Sequence, residues 1–214
     1  MFIHQHLFKA FLLFSLFIIS IPQGFAVEEN HSSKGSYWGN FDPPTLAHKE
    51  IILQALETLK LEKIFIIVND FKTNSYHAPI FDRIAMIKLM LYGLEEKIQV
   101  IAQNESAKAD YRTIKKSVSG KLYAIAGQDS YEKWQLSSGL DFENYDGIVI
   151  VPRGRRSTIN IPQDLKSKLI ILEIADRYRY FSSTKIRDKL HHKHCVGLDP
   201  AICKYIHQHH LYQF

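Results

Sequence analysis

One segment near the start of the chain combines residue types that suit phosphate binding. Directly after a predicted short strand around Ser36–Trp38, the sequence from Gly39 to His48 reads GNFDPPTLAH. Gly39 allows the backbone to turn or to approach a ligand closely, and Pro44 fixes φ at the entrance of a helix. Thr45 and His48 share one face of the first helical turn, where backbone N–H groups and the positive end of the helix dipole attract anions. The segment predicts a phosphate site flanked by a hydroxyl and an imidazole, with a capped helix and a surface histidine as the alternative interpretation.

A second segment of this kind lies near the other end of the chain. After the last predicted strand, hydroxyl and cationic side chains stand close together at Ser182, Ser183, Thr184, Lys185 and Arg187. Hydroxyls at a helix N-terminus cap backbone N–H groups, and lysine and arginine form charge-assisted hydrogen bonds with phosphate oxygens. An ordinary helix cap with solvated cations is the alternative for this segment alone. Neither segment is decisive alone, but the presence of both in one chain favours a phosphate-binding function.

Alternating strand and helix patterns occupy the chain between these segments. The periodicity of apolar residues predicts helices over Thr45–Lys60, Pro79–Leu94 and Ala109–Val118. Short apolar runs rich in β-branched residues predict the strands Lys63–Val68, Lys97–Ala102, Leu122–Ala126, Gly147–Val151 and Lys168–Ile174. Strands separated by such helices are typical of βαβ units and a parallel sheet. The predicted fold is therefore a doubly wound, Rossmann-like α/β sheet, which binds ligands beyond the carboxyl ends of its strands at the topological switch point.

Composition excludes several classes of protein. The chain has 214 residues, of which 46% are hydrophobic and 23% charged, and these values exclude wholesale disorder, a collagen-like rod and a coiled coil. Two cysteines cannot build a disulfide-rich scaffold. The 27 Lys and Arg residues against 22 Asp and Glu residues give a net charge of +5, which suits a small anionic ligand as well as a nucleic acid.

The N-terminal segment Met1–Ala26 has the pattern of a secretory signal peptide. Lys9 is followed by the apolar run Ala10–Ile21, and Gly24 and Ala26 place small residues where a signal peptidase reads. A core of about a dozen apolar residues is too short to span a bilayer, which takes ~20 helical residues. We therefore predict a signal peptide at 1–26, one domain at 27–214, export to the periplasm or the exterior, and no stable membrane association after cleavage. An uncleaved anchor and a misassigned start codon in a cytoplasmic protein are the alternatives.

Taken together, these motifs resemble the nucleotidylyltransferase (cytidylyltransferase-like) superfamily, and within it the nicotinate and nicotinamide mononucleotide adenylyltransferases. Besides the two anion-binding segments, the resemblance rests on Ala126–Ser130 (AGQDS), on Val151–Gly154 (VPRG) and on the C-terminal pairs Tyr205-Ile206 and Leu211-Tyr212. It extends from about Gly35 to the C-terminus. It implies a parallel sheet of nucleotidylyltransferase type followed by C-terminal helices.

The resemblance also implies a reaction, in which the adenylyl group of ATP passes to nicotinate or nicotinamide mononucleotide and pyrophosphate is released. The implied ligands are ATP with Mg²⁺ and a mononucleotide, with no metal held by the protein alone and no nucleic-acid partner. Because the phosphate of the mononucleotide is itself the nucleophile, the protein has to position the substrates and to stabilise charge. Two alternatives stay open: another phosphorylated acceptor, or an exported nucleotide-binding protein without turnover.

Site residues are assigned by the same resemblance. The catalytic residues are His48 and Thr45 at the α-phosphate and Arg187 at the β- and γ-phosphates. The residues assigned to nucleotide binding are Gly39, Asn40, Phe41, Asp129 (at the ribose), Ser182, Ser183, Thr184 and Lys185. Those assigned to the mononucleotide are Lys72, Trp134 and Arg153, with a solvated loop lysine and a core or rim tryptophan as the alternatives for the first two.

Three residues depart from the family pattern. Thr45 replaces the histidine usual in bacterial members, although a Thr-x-x-His form occurs in the eukaryotic branch. Ala47 stands where glycine is common and would narrow the approach to the phosphates. Trp38 stands where a small residue is usual, and we expect it to crowd the nucleotide pocket.

A cluster of histidines and cysteines near the C-terminus has three interpretations. Zn²⁺ favours such ligands, but the spacing of Cys195, Cys203 and the neighbouring histidines is not a recognised zinc pattern. In an exported protein the two cysteines can pair as a disulfide. Ordinary surface residues are the third interpretation.

The N-terminal pattern makes a testable prediction. In the native host, we expect the mature protein to begin at Val27, because cleavage after Ala26 removes the apolar segment. Intact-mass spectrometry of protein purified from that host measures this directly. Soluble cytoplasmic protein that retains Met1 would contradict the prediction.

Overall fold

The computed structural model describes residues 32–72, 75–104, 111–136, 144–152, 159, 162–190, 192 and 194–213, apart from the side chains of residues 111, 112, 134–136 and 164. The predicted leader and Arg153 lie outside the described residues, as does the side chain of Trp134. No helix in the described part of the chain is long and apolar enough to cross a membrane.

Strands and helices alternate along the described residues. The strands are β1 (Lys34–Gly39), β2 (Lys63–Asn69), β3 (Ile98–Gln103), β4 (Leu122–Gly127), β5 (Gly147–Val151) and β6 (Leu169–Ile171). The helices are α1 (Leu46–Thr58), α2 (Ile80–Met90), α3 (Tyr111–Lys116), α4 (Gln128–Leu136), α5 (Asp176–Arg179), α6 (Ser183–Leu190) and α7 (Pro200–Gln208). A 3-10 helix, Gln163–Lys168, leads into β6.

These strands form one parallel sheet in the order β3-β2-β1-β4-β5-β6, which confirms the predicted doubly wound α/β fold. The strand order reverses between β1 and β4, so the switch point lies there. Pairing between these two strands ends at Tyr37 and Ile125, although β1 continues to Gly39 and β4 to Gly127. The strands therefore separate at their carboxyl ends, at the position where such folds bind ligands.

Apolar side chains cover both faces of the sheet. In β2, Ile64, Ile66 and Val68 belong to a core on one face, and Phe65 and Ile67 belong to a core on the other, as the alternation of side chains in a strand requires. Helices α1, α2, α6 and α7 contribute to the first core, and α3 and α4 contribute to the second. Burial on both faces explains why the strands read as continuous apolar runs in the sequence.

Helix α2 and strand β6 differ most from their predicted lengths, whereas α1 and α3 end two residues before their predicted ends. Helix α2 ends before the predicted Leu94, because Gly93 adopts a φ of 85° and the chain turns there. Strand β6 covers only part of the predicted Lys168–Ile174. Beyond it, Leu172 and Ile174 are buried in the first core without belonging to the strand. The apolar run therefore reflects burial as well as strand pairing.

Candidate active site

The chain turns sharply where it leaves β1. Phe41 has a φ of 49°, in the left-handed region, and its side chain is buried. A Cβ on Gly39 would lie only 3.1 Å from the Phe41 ring, so the absence of a side chain at Gly39 allows the ring to fold back. The ring packs edge-on against Tyr37 and His48, at centroid distances of 5.3 and 5.0 Å. The predicted nucleotide-binding residue Phe41 thus contacts His48 from the core side, and its ring is not exposed to a nucleotide.

Asp42, the next residue, is a buried carboxylate with a full set of donors. Its side-chain oxygens accept the backbone N–H of His77 at 2.8 Å and that of Ala78 at 3.1 Å. The Tyr212 hydroxyl donates to Asp42 Oδ1 at 2.8 Å. Burial and the charge of Asp42 raise the pKa of Tyr212 far above its usual range, so this hydroxyl stays protonated and keeps donating. Asp42 therefore joins the loop after β1 to the segment before α2 and to the C-terminal residues.

A fully buried cation, Arg83 of α2, holds the same loop from the other side. Its guanidinium donates at 2.7–3.0 Å to the carbonyls of Asn40, Asn69 and Ala78 and to the carboxylate of Asp70. The first of these carbonyls follows β1 and the second ends β2. One side chain thus connects the carboxyl ends of two neighbouring strands.

Sequence reasoning did not assign Asp42 or Arg83 to the site. Arg83 occupies an inward-facing position of α2, three and four residues before the buried Met86 and Ile87. A cation on the apolar face of a predicted helix is the signal that could have indicated a buried ion pair, since arginine is seldom fully buried without partners. Asp42 gave no comparable signal, because its partners lie far away in the sequence.

A capping box orients His48 at the start of α1. Thr45 is the N-cap residue: its Oγ1 accepts the His48 N–H at 3.4 Å, and its own N–H donates to His48 Nδ1 at 2.9 Å. Nδ1 is therefore an acceptor, which assigns the proton of the neutral ring to Nε2. Thr45, which the sequence assigned to the α-phosphate, is fully buried, and its hydroxyl caps the start of α1. His48 itself is half-buried.

Helix α6 docks on the loop that follows β1. The Ser183 hydroxyl donates to the Pro43 carbonyl at 2.8 Å, and Arg187 Nη1 donates to the Asp42 carbonyl. Arg187 Nη2 lies 3.4 Å from the Thr184 hydroxyl. Ser183 and Pro43 are 140 positions apart in the sequence. The structure therefore brings the two predicted segments together.

The remaining polar side chains at the start of α6 face outward to different degrees. Ser182 is half-buried, and its hydroxyl accepts the backbone N–H of Lys185 at 3.4 Å. Thr184 and Lys185 are exposed. An anion can reach these two residues without disturbing the contacts of Ser183 with the loop.

Three further predicted residues follow the carboxyl ends of neighbouring strands. Asn40 follows β1, and its side-chain oxygen accepts from Asn69 at 3.2 Å. Lys72 follows β2, and Asp129 lies in the first turn of α4, directly after β4. Asn40, Lys72 and Asp129 are exposed. Because the strands are parallel, all three lie at the edge of the sheet where the switch point opens.

Trp38 and Ala47, two departures from the family pattern, are accommodated in the interior. Trp38 is 7% exposed and belongs to the same core as Phe65 and Tyr131, and its indole N–H donates to Ser36 Oγ at 3.0 Å. Ala47 is fully buried in α1. Neither side chain projects from the exposed edge, which corrects the expectation that Trp38 crowds the nucleotide pocket.

The C-terminal cysteines form a disulfide, Cys195–Cys203, which is one of the three interpretations of the sequence. The bond connects the loop after α6 to α7. In that loop, the Gly197 carbonyl accepts the backbone N–H of Leu46 at 2.9 Å. The disulfide therefore joins the two ends of the segment that contacts the first turn of α1, the helix that carries His48.

The open switch point and the contacts between the starts of α1 and α6 define the class: a doubly wound α/β protein whose candidate site lies at the carboxyl edge of its sheet. A family profile described as cytidylyltransferase-like matches residues 36–189, from β1 to the end of α6. The chain belongs to this cytidylyltransferase-like family.

Curated relatives agree with this membership. A protein of Campylobacter jejuni (strain 81-176) named "Probable nicotinate-nucleotide adenylyltransferase" is 29% identical over 183 residues, which span 79% of this chain and 93% of the relative. A protein of Aliarcobacter butzleri with the same name is 27% identical over 170 residues, which span 66% of this chain and 87% of the relative.

A solved structure shares the fold. The Plasmodium falciparum nicotinic acid mononucleotide adenylyltransferase complexed with NaAD aligns with a TM-score of 0.63 and 18% identity, over 85% of this chain and 98% of that one. At this identity the likeness concerns the arrangement of strands and helices.

The buried position of Arg83 yields a prediction on stability. Replacing Arg83 by Met should lower the free energy of unfolding by about 3 kcal/mol, because three carbonyls and the Asp70 carboxylate lose their donor. Urea unfolding followed by circular dichroism measures the change. Arg177→Met, at an exposed position of α5, is the matched control and should change stability by less than about 0.5 kcal/mol. Equal effects of the two substitutions would refute the claim that the buried hydrogen bonds of Arg83 stabilise the fold.

Proposed function

We propose that this protein transfers the adenylyl group of ATP to nicotinate mononucleotide, which forms nicotinate adenine dinucleotide and releases pyrophosphate. The observation that carries the proposal is the docking of Ser183 and Arg187 on the carbonyls of Pro43 and Asp42, which places the start of α6 beside the loop that leads to His48. The names of the relatives support nicotinate mononucleotide as the acceptor.

The reaction is a displacement at the α-phosphorus of ATP. A phosphate oxygen of the mononucleotide forms a bond to that phosphorus while the bond to the pyrophosphate oxygen breaks. No protein group has to become covalently attached, because the nucleophile belongs to the substrate. Catalysis of such a transfer consists of positioning and of charge stabilisation at the phosphoryl oxygens. The protein therefore has to direct donors at the α-phosphate and at the leaving group.

His48 is the proposed donor to the α-phosphate. The contact between the Thr45 N–H and Nδ1, at 2.9 Å, leaves the ring proton on Nε2. The ring packs against Phe41 and lies in the first turn of α1, where the helix dipole adds positive potential. A donor held in this way needs little reorganisation as negative charge develops. In this proposal Thr45 acts by orienting the ring.

The start of α6 is the proposed site of the β- and γ-phosphates. A guanidinium has five N–H donors, so the contacts of Arg187 with Asp42 and Thr184 leave capacity for a phosphate. Lys185 and Thr184 are exposed, and N–H groups at a helix N-terminus bind phosphate. Ser183 contributes by anchoring the helix to the loop, and Ser182 lies beside it at the cap.

Magnesium fits this arrangement as an ion carried by the triphosphate. Mg²⁺ is commonly held by substrate phosphates, water and one or two carboxylates. Within the described ranges, the one group of three close His, Cys, Asp or Glu donors is Cys195, Cys203 and His207, so the described residues at the sheet edge form no all-protein cage. When bound with ATP, Mg²⁺ neutralises phosphate charge, and His48 and Arg187 supply the directed donors.

The remaining assignments complete the proposal. Asp129, exposed after β4, accepts hydrogen bonds from the ribose hydroxyls of ATP. Lys72, exposed after β2, binds the phosphate of the mononucleotide. Trp134 and Arg153 stay predictions for the mononucleotide side.

Export through the segment 1–26 is part of the proposal. The short apolar run in that segment suits a signal peptide. The disulfide between Cys195 and Cys203 supports an oxidising compartment, because disulfides persist there and are rare in the cytosol.

The function is tested by pyrophosphate release from ATP with nicotinate mononucleotide, nicotinamide mononucleotide or ribose 5-phosphate as acceptor. We expect release to be fastest with nicotinate mononucleotide, with the dinucleotide identified by mass spectrometry.

His48→Ala should lower turnover by ~10²-fold, because it removes a preorganised donor. His192→Ala, at an exposed position, is the control and should leave turnover unchanged. ATP binding without release with any acceptor would indicate a binding protein, and full turnover of His48→Ala would remove His48 from the mechanism.

Arg187→Lys separates the two substrates. Lysine keeps the charge but not the planar fork that grips phosphate, so we expect ATP affinity to fall by ~10-fold or more, with a much smaller effect on the mononucleotide. Calorimetric titration of each ligand measures both affinities. Arg177→Lys, at an exposed position of α5, is the control. Equal losses for both ligands, or no loss for either, would show that Arg187 does not hold the triphosphate.

A further inference from the structure

A third potential metal ligand lies beside the C-terminal disulfide. His207 Nε2 is 3.9 Å from Cys195 Sγ, and the donor atoms of Cys195, Cys203 and His207 all lie within 4.8 Å of one another. We propose that reduction of this disulfide converts the three residues into a binding site for Zn²⁺. The inference rests on this cluster alone and is independent of the proposed function.

One pair of donors already has nearly the spacing of a tetrahedral zinc site, and the two sulfurs, which are bonded to each other in this structure, move apart when the disulfide is reduced. Zn–S and Zn–N bonds of ordinary length place neighbouring ligand atoms about 3.4–3.8 Å apart, close to the 3.9 Å between Cys195 Sγ and His207 Nε2. Cys203 and His207 are four residues apart in α7 and share one face of the helix. Three protein ligands leave a fourth position for water, as in zinc sites that are not purely structural.

The loop that presents Cys195 is held by contacts other than the disulfide. The Leu198 N–H donates to the Cys195 carbonyl at 3.1 Å, and the Gly197 carbonyl accepts from Leu46 at 2.9 Å. Gly197 has a φ of 90°, and a Cβ there would lie 2.7 Å from the Phe181 ring, so the loop is closely packed. Because these contacts do not involve the sulfur atoms, we expect them to persist when the disulfide opens and to keep Cys195 near α7.

The two states exchange by a balanced reaction. A dithiol reductant such as dithiothreitol breaks the bond between Cys195 Sγ and Cys203 Sγ, becomes a cyclic disulfide itself and leaves two protein thiols. Zn²⁺ then displaces the two thiol protons, because thiolates are the ligands. Oxidised glutathione reverses the process: the protein disulfide forms, the glutathione disulfide is cleaved, two protons are taken up to give two glutathione thiols, and Zn²⁺ is released.

The experiment uses the full chain in both redox states. Protein reduced with dithiothreitol and desalted without oxygen is titrated with Zn²⁺ against a chromophoric chelator, and with Co²⁺ to detect a thiolate-to-cobalt charge-transfer band. We expect about one Zn²⁺ per reduced chain and none per oxidised chain, with release on addition of oxidised glutathione. Circular dichroism of the reduced protein reports that the fold is retained.

Two variants decide whether the site is the one described. His207→Ala keeps both cysteines and should lower Zn²⁺ affinity by ~10-fold or more. The control is His209→Ala: the His209 ring stacks on Tyr205, so its loss should leave Zn²⁺ affinity unchanged. Cys203→Ser should abolish the charge-transfer band of a two-thiolate site. The proposal is overturned if reduced protein binds no Zn²⁺, if it binds only after losing its fold, or if His207→Ala binds as tightly as the unmodified chain.

Discussion

The buried carboxylate of Asp42 is the interaction on which the geometry of the site depends. It is 3% exposed, and a carboxylate so deeply buried is stable only when hydrogen bonds replace its water. The backbone N–H groups of His77 and Ala78 and the Tyr212 hydroxyl do this. The backbone carbonyl of the same residue accepts from Arg187. A single residue thus connects the loop after β1 with three segments that are distant in the sequence.

Several polar side chains around Asp42 serve to hold strand ends, helix starts or other side chains in place at the switch point. Arg83 fixes the ends of β1 and β2, Thr45 fixes the ring of His48, and Ser183 fixes the start of α6. Positioning of this kind suits phosphoryl transfer between two bound substrates. Donors that are already oriented need little rearrangement when negative charge develops in the transition state. The proposed contacts with ATP then fall to His48 and to the outward-facing part of α6.

Much of this arrangement follows from the sequence, and the rest depends on contacts that a sequence pattern does not encode. Apolar runs and helical spacing predict the parallel sheet, and the segments around His48 and Arg187 stand out by residue type alone. Residue type alone does not show which group each hydroxyl contacts. Thr45 and Ser183 have the residue types of a phosphate site, yet their hydroxyls satisfy a backbone N–H and a backbone carbonyl. Similarly, nothing in the local pattern pairs Tyr212 with a carboxylate 170 positions away.

The central claim is that the segments 39–48 and 182–187 form one site for ATP. Hydrogen–deuterium exchange of the full chain, measured over a titration with ATP and Mg²⁺, tests it most directly. The account predicts that peptides from both segments become protected together and with the same half-saturation, while peptides covering the outer strand β3 are unchanged. Protection of one segment only, or of the two at different ATP concentrations, would contradict a single site built from both.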